Sequence, residues 1–152
     1  MRYVLDSNVL KKISGDERNA NVDKWLATVN DIDLYITVFT VMESQKGIEL
    51  LKKSKNPIKA KLAMEIERGF EEFLADWEER ILQLDVNAAR EWGRRLAKHG
   101  AKNAYDLGII SIISKQNNAV AVSRNLIDFR HRGITVIDPF EDPAAQYSDP
   151  ET

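Results

Sequence analysis

The feature that most limits the fold is an alternation. Five short strand-favouring runs, Tyr3–Leu5, Leu34–Val38, Ile81–Leu84, Ala119–Val122 and Ile134–Ile137, are separated by stretches whose apolar residues recur at helical spacing. None of the runs is long enough for a helix. The run at 119–122 is apolar throughout, as strands covered on both faces are. Strands alternating with helices imply right-handed crossovers and a mainly parallel sheet with helices on both sides. The expected fold is therefore a three-layer α/β/α sandwich around a five-stranded sheet.

The helical stretches have readable ends. Residues 8–14 suggest a short helix, and Gly15 to Asn21 a loop. Asn21 is placed to cap a helix in which Val22, Trp25, Leu26 and Val29 share a face. Thr40 to about Lys53 reads as a helix opened by a capping box, with Thr40 at the cap and Glu43 three residues on. Asn56-Pro57 breaks the chain. Beyond it Leu62, Ile66, Phe70, Phe73, Leu74 and Trp77 mark a longer helix, its aromatics expected in the core rather than stacked on bases. Asp85 or Asn87 opens the next helix, with Ala88, Ala89, Trp92 and Leu96 inward and His99-Gly100 as its stop.

Asn103 is expected to cap the most apolar helix. Tyr105, Leu107, Ile109, Ile110, Ile112 and Ile113 leave it almost no polar face, so it should be buried on more than one side. Residues 1–140 read as one domain without repeat or linker. Residues 141–152, acidic and proline-containing, read as a flexible tail.

Composition narrows the chemistry. With 43% hydrophobic residues, 152 residues furnish a sizeable core. The absence of cysteine excludes disulfides and thiolate metal sites, and two histidines cannot make a histidine-rich zinc site. Any metal must be held mostly by carboxylates, which favours Mg²⁺ or Mn²⁺. A net charge of −2 argues against a protein that coats nucleic acid, though not against an enzyme with a local basic patch. There is no signal-peptide apolar core and no run of membrane-spanning length, so a cytoplasmic protein without membrane association is expected.

In this layout the chemically interesting residues fall at one edge of the sheet. Asp6 follows the first strand, where open α/β sheets place their ligand sites. Glu43 lies in the first turn after the second strand, Asp106 in the first turn of the buried helix, and Ser123, Arg124 and Asn125 after the fourth strand, with Asp128 one turn on. Helix caps and dipoles can account for an acid in a first turn. They account less well for Asp106, which shares a face with Ile109, Ile110 and Ile113 and needs a partner there. Two carboxylates about 5 Å apart repel by roughly 3 kcal/mol at an effective dielectric near 20. Stability gives no reason to gather three; a divalent cation does.

Four stretches carry a family resemblance: Val-Leu-Asp-Ser-Asn, Val-Met-Glu-Ser-Gln-Lys-Gly, Asn-Ala-Tyr-Asp-Leu-Gly-Ile-Ile-Ser and Val-Ser-Arg-Asn-Leu-Ile-Asp-Phe. In order and spacing, over about residues 2–140 and including the closing Val-Ile-Asp-Pro-Phe, they resemble the PIN-domain family. Within it they look most like the VapC-type toxins of bacterial toxin–antitoxin pairs. The resemblance implies a metal-dependent endoribonuclease that hydrolyses RNA phosphodiester bonds and thereby inhibits translation. Asp6, Glu43 and Asp106 would bind Mg²⁺ or Mn²⁺, Asn8 would orient Asp6, and Ser123 would support the site by hydrogen bonding. It also implies a homodimer and a small antitoxin that blocks the site.

The fourth station departs from the acidic pattern. Asn125 stands where many relatives carry aspartate, and it offers an amide oxygen without charge. Asp128, one turn away, either supplies the missing acid or caps its loop, the loop role being favoured. Lys46, on the side of Glu43, and Arg124 are the basic residues best placed for RNA phosphates, with Lys11, Lys12 and Lys102 as plausible neighbours. His99 and His131 are expected at the surface. Two other readings follow from the same residues. A phosphoaspartyl enzyme would want an aspartate where Asn8 stands. A catalytically silent PIN-like module that binds RNA or protein would account for Asn125.

Overall fold

The computed structural model describes residues 1–14 and 17–152. Gly15 and Asp16, part of the loop expected from Gly15 to Asn21, lie outside the described residues. The chain forms strands β1 (Arg2–Leu5), β2 (Leu34–Thr37), β3 (Ile81–Leu82), β4 (Ala119–Val122), β5 (Val136–Asp138) and β6 (Ala145–Tyr147). Between them run helices α1 (Ser7–Ser14), α2 (Ala20–Leu26), α3 (Val38–Lys52), α4 (Pro57–Asp76), α5 (Val86–His99), α6 (Ala104–Ser114) and α7 (Leu126–Phe129). The sheet order is β3-β2-β1-β4-β5-β6, parallel except at β6.

Strand alternation sends neighbouring residues into opposite layers. Val4 and Ala121 face a cluster with Phe39, Ala88, Leu107, Ile110 and Phe129. Leu5, Val120 and Val122 face the other cluster, with Val9, Val22 and Trp25. Helix α6 is buried from Leu107 to Ile113, as its composition requires, while Tyr105 turns outward.

The mainly parallel α/β/α architecture is the expected one, with a sixth strand in place of five. β6 arises in residues 141–152, read from composition as a flexible tail. It pairs antiparallel with β5, and Asp149 accepts two hydrogen bonds from Arg130 at 2.8 and 3.3 Å. Acidic composition suggested solvation, but the acids meet basic partners on the body. Glu151 lies 3.3 Å from Lys98 and 3.6 Å from His99, so His99 is largely covered rather than at the surface.

Local signals were displaced in several places. Asn19, not Asn21, caps α2, and the Asn21 amide donates instead to the Phe140 carbonyl at 2.7 Å. Strands β3 and β5 cover Ile81–Leu82 and Val136–Asp138 rather than Ile81–Leu84 and Ile134–Ile137. Ala89 faces solvent while Ala88 is inward. In α4 the expected core face divides. Phe73 and Trp77 pack against the sheet layer, whereas Leu62 and Ile66 are 46% and 45% exposed.

Candidate active site

The strand order places β1 beside β4, where the connections run off in opposite directions. Parallel sheets open a crevice at the carboxyl ends of such strands. Asp6 is the first residue beyond β1. Its backbone N–H still reaches the Val122 carbonyl at 2.9 Å, and Ser123 N–H reaches Ile137 at 2.9 Å. The sheet ladder therefore continues to the lip and fixes both residues rigidly.

Asp6 is 6% exposed and saturated with donors. Oδ1 accepts from the Ser7 N–H at 2.9 Å. Oδ2 accepts from the Ser123 hydroxyl at 2.7 Å and from the Asn8 amide at 3.2 Å. Asn8 is held in turn, its oxygen accepting from the Arg124 N–H at 3.3 Å. Burial nevertheless pushes the Asp6 carboxyl above the ordinary range against these bonds.

Asp106 enters from α6. Its carboxyl is pushed up to about 7, first by burial and then by the fields of Asp6, Asp128 and Glu43. Asn125 bridges this group: its amide donates to Asp128 at 2.7 Å and to Asp106 at 3.4 Å, while its N–H donates to Ser123 Oγ at 2.9 Å. Asp128, on α7, also accepts from the Asn103 amide. Asn103 was expected as the cap of α6, but its side chain makes no cap bond and turns to the acid instead.

Glu43 reaches the group from α3. This helix starts at Val38, so Glu43 is in its second turn, and Thr37 is the cap residue without a side-chain cap bond. Thr40 is fully buried inside the helix, and there is no capping box. The structural explanation for Glu43 is thereby removed, while its field at Asp106 remains. Thr37, fully buried at the end of β2, keeps a hydroxyl without a hydrogen-bond partner, a polar atom that sequence reasoning missed.

The crossing of α3 and α6 depends on Gly108. A Cβ there would lie 2.4 Å from the ring of Phe39. That ring is itself packed edge-on to Trp92 at 5.0 Å and tilted on Tyr105 at 6.1 Å. Glycine lets the helices carrying Glu43 and Asp106 approach.

Among the described residues, no three His, Cys, Asp or Glu side chains stand close enough to enclose a metal ion. Asp106 and Asp128 approach closely enough to share a proton between them, while Asp6 and Glu43 act on Asp106 through their fields. The donor set nonetheless fits a hard divalent cation: Asp6, Asp106 and Glu43 offer only oxygen, Asn125 adds an amide oxygen, and no sulfur competes. Of the basic candidates, Lys46, Lys11, Lys102 and Arg124 are exposed, Arg124 lying over the Phe140 ring at 4.7 Å. Lys12 is instead paired with Glu17 at 3.1 Å.

Comparison with known proteins finds similar chains. No protein-family profile matches the chain. It is 29% identical to toxin FitB of Neisseria gonorrhoeae over 144 residues, 91% of this chain and 99% of that protein. Its fold superposes on a chain of FitAB bound to an IR36 DNA fragment with a TM-score of 0.72, at 26% identity, covering 91% of this chain and 96% of that one. A DNA-bound VapBC from Salmonella typhimurium, at 23% identity and a TM-score of 0.59, covers 91% and 98% respectively and shares the fold. The likeness to PIN-domain, VapC-type toxins read from four sequence stretches is borne out.

Proposed function

We propose that this PIN-domain chain of the VapC type is the toxin half of a toxin–antitoxin pair and acts as a metal-dependent endoribonuclease. The observation that carries the reading is the convergence of Asp6, Asp106 and Asp128 on one edge, joined through Ser123 and Asn125, where burial and neighbouring carboxylates push the Asp106 carboxyl up to about 7. A fold that gathers like charges at a crevice stores a demand for positive charge.

Asp6, Glu43 and Asp106 would hold Mg²⁺ or Mn²⁺, which supplies Lewis-acid stabilisation of charge on a phosphate and favours ionisation of water. The chain's own residues do the positioning. Ser7, Asn8 and Ser123 fix both oxygens of Asp6, so that it need not reorganise when a cation or substrate arrives. Asn125 ties Asp106 to Asp128 and Ser123, linking α6 to the β4 edge. Lys46 and Arg124 offer donors to RNA phosphates flanking the cut. Hydrolysis breaks the P–O3′ bond, leaving a 5′-phosphate and a 3′-hydroxyl.

FitAB and VapBC are complexes, and by that relation we assign this chain a small antitoxin; a homodimeric state rests on the sequence resemblance alone. Leu62, Met64 and Ile66 on α4 are between 45% and 64% exposed, apolar residues that a partner chain would cover. No helix among the described residues is long and apolar enough to cross a membrane.

The deciding experiment incubates the purified chain, freed of antitoxin, with RNA and Mn²⁺, beside Asp106→Asn. Cleavage that falls by a factor on the order of 10³ in the variant is the expected result, comparable to losing a central electrostatic group. RNA binding without cleavage in the wild type would leave the silent module, which Asn125 favours.

A further inference from the structure

We propose that the tip of the α3–α4 hairpin is a second anchoring surface for the backbone of single-stranded RNA, reached from the acidic site along the open face of α3. This rests on reading that site as a ribonuclease centre.

In a chain with 22 basic and 24 acidic residues, the stretch from Lys52 to Lys61 holds five lysines and no acid. Lys52 is taken by Glu67 at 2.7 Å and Glu49 at 3.2 Å. Lys53, Lys55, Lys59 and Lys61 are exposed and, among the described residues, form no ion pair. Their placement does not serve the helix. α4 begins with Lys59 and Lys61 and ends among Glu71, Glu72 and Asp76, the reverse of what the helix dipole favours. A charge order that opposes local stability points to a partner outside the chain, and the positive field suits a polyanion.

The geometry connects this tip to the site. On α3, Glu43 is followed on one side of the helix by Lys46, Gly47 and Leu50, and then by the cap residue Lys53. All four are exposed, and a Cβ at Gly47 would meet nothing within 4 Å. The face is therefore open, with no side chain at its middle to block a strand lying along it. From Glu43 to Lys53 the helix rises about 15 Å. One end carries the carboxylates, which repel phosphate; the other carries the lysines that would hold it. Single strands are held by basic grooves that track the backbone. The tip has no exposed aromatic ring, so the contact would be to phosphates and indifferent to sequence.

The test measures binding of a labelled single-stranded RNA oligonucleotide to the full-length protein in EDTA, across a range of salt. The wild type is compared with the quadruple variant Lys53→Gln, Lys55→Gln, Lys59→Gln, Lys61→Gln. The dependence of log K on log salt should become shallower by about 2–3, since each phosphate contact on a single strand contributes about 0.7. The melting temperature should hold or rise, because two lysines leave the positive end of α4. Unchanged affinity and slope would overturn the proposal, as would loss of binding to phosphatidylserine vesicles with RNA binding intact. Should the quadruple variant fail to fold, the pair Lys53→Gln, Lys55→Gln, outside α4, keeps the test, with a slope change of about 1.

The two readings fail separately. Lysine-dependent RNA binding without cleavage in Mn²⁺ would remove the ribonuclease and keep the anchor. Cleavage with a quadruple variant that binds and cuts like wild type would do the opposite.

Discussion

Like charges are gathered at both ends of α3, and the two gatherings are built differently. At the sheet edge Asp6 and Asp106 are buried or half-buried, tied by Ser123, Asn8 and Asn125, and pushed above the ordinary carboxylate range. At the hairpin tip Lys53, Lys55, Lys59 and Lys61 stand in solvent. Repulsion between buried charges is costly and becomes useful only when a compact, highly charged ligand relieves it. Repulsion between exposed lysines is screened by water and salt. The first arrangement suits an ion held in fixed geometry, the second an extended polyanion with loose register.

The comparison can be broken at the site. Mn²⁺ at a hundredfold excess over its dissociation constant should stabilise the protein by about 2.7 kcal/mol, read as a shift in thermal unfolding. The quadruple lysine variant should show the same shift. A shift that the lysine substitutions abolish would mean that the two ends are one binding system.

Gly108→Ala acts on the join between the ends. The new methyl would press on Phe39, a ring confined by Trp92 and Tyr105, and overpacking of this kind costs about 1–3 kcal/mol. Denaturant unfolding should show that loss. Metal stabilisation should weaken as α3 and α6 separate, whereas the salt slope of RNA binding should persist. Wild-type stability in the variant would show that the ring moves freely.

The smallest effect concerns pH. An unfolded chain releases the Asp106 proton near pH 4, and the folded one near 7. Between these values the folded state holds more protons, so in metal-free protein stability falls as pH rises from about 4 to about 7 and then levels. Asp106→Asn should remove that fall and raise stability at pH 8 by on the order of 1–2 kcal/mol, discounted because the group is half-exposed. Identical pH profiles for the two proteins would place the repulsion elsewhere.

The sandwich was legible because period carries the information: runs such as Ala119–Val122 and the isoleucine-rich stretch before Ser114 admit few alternatives. The station of each acid followed from that order. Less legible were features set by contacts distant in sequence. Thr40 and Glu43 have the spacing of a cap, but the helix starts at Val38, and Thr40 is drawn into the core. Asn103 holds the cap position of α6 as read, but its side chain meets Asp128, 25 residues away, instead of the helix end. Leu62 and Ile66 share the period of Phe73 and Trp77, yet only the aromatic end finds a surface to cover it.

By itself the sequence determined the parallel core, the positions of Asp6, Glu43, Asp106 and Asn125 along it, and side chains there that offer oxygen and no thiolate. These rest on residue type and short-range spacing. Only the tertiary structure decided that Ser123 and Asn8 would clamp Asp6, that burial and neighbouring carboxylates would push Asp106 upward, and that Glu151 would bring the tail back onto α5. Each of those depends on burial and on partners brought together from opposite parts of the chain, which no local pattern encodes.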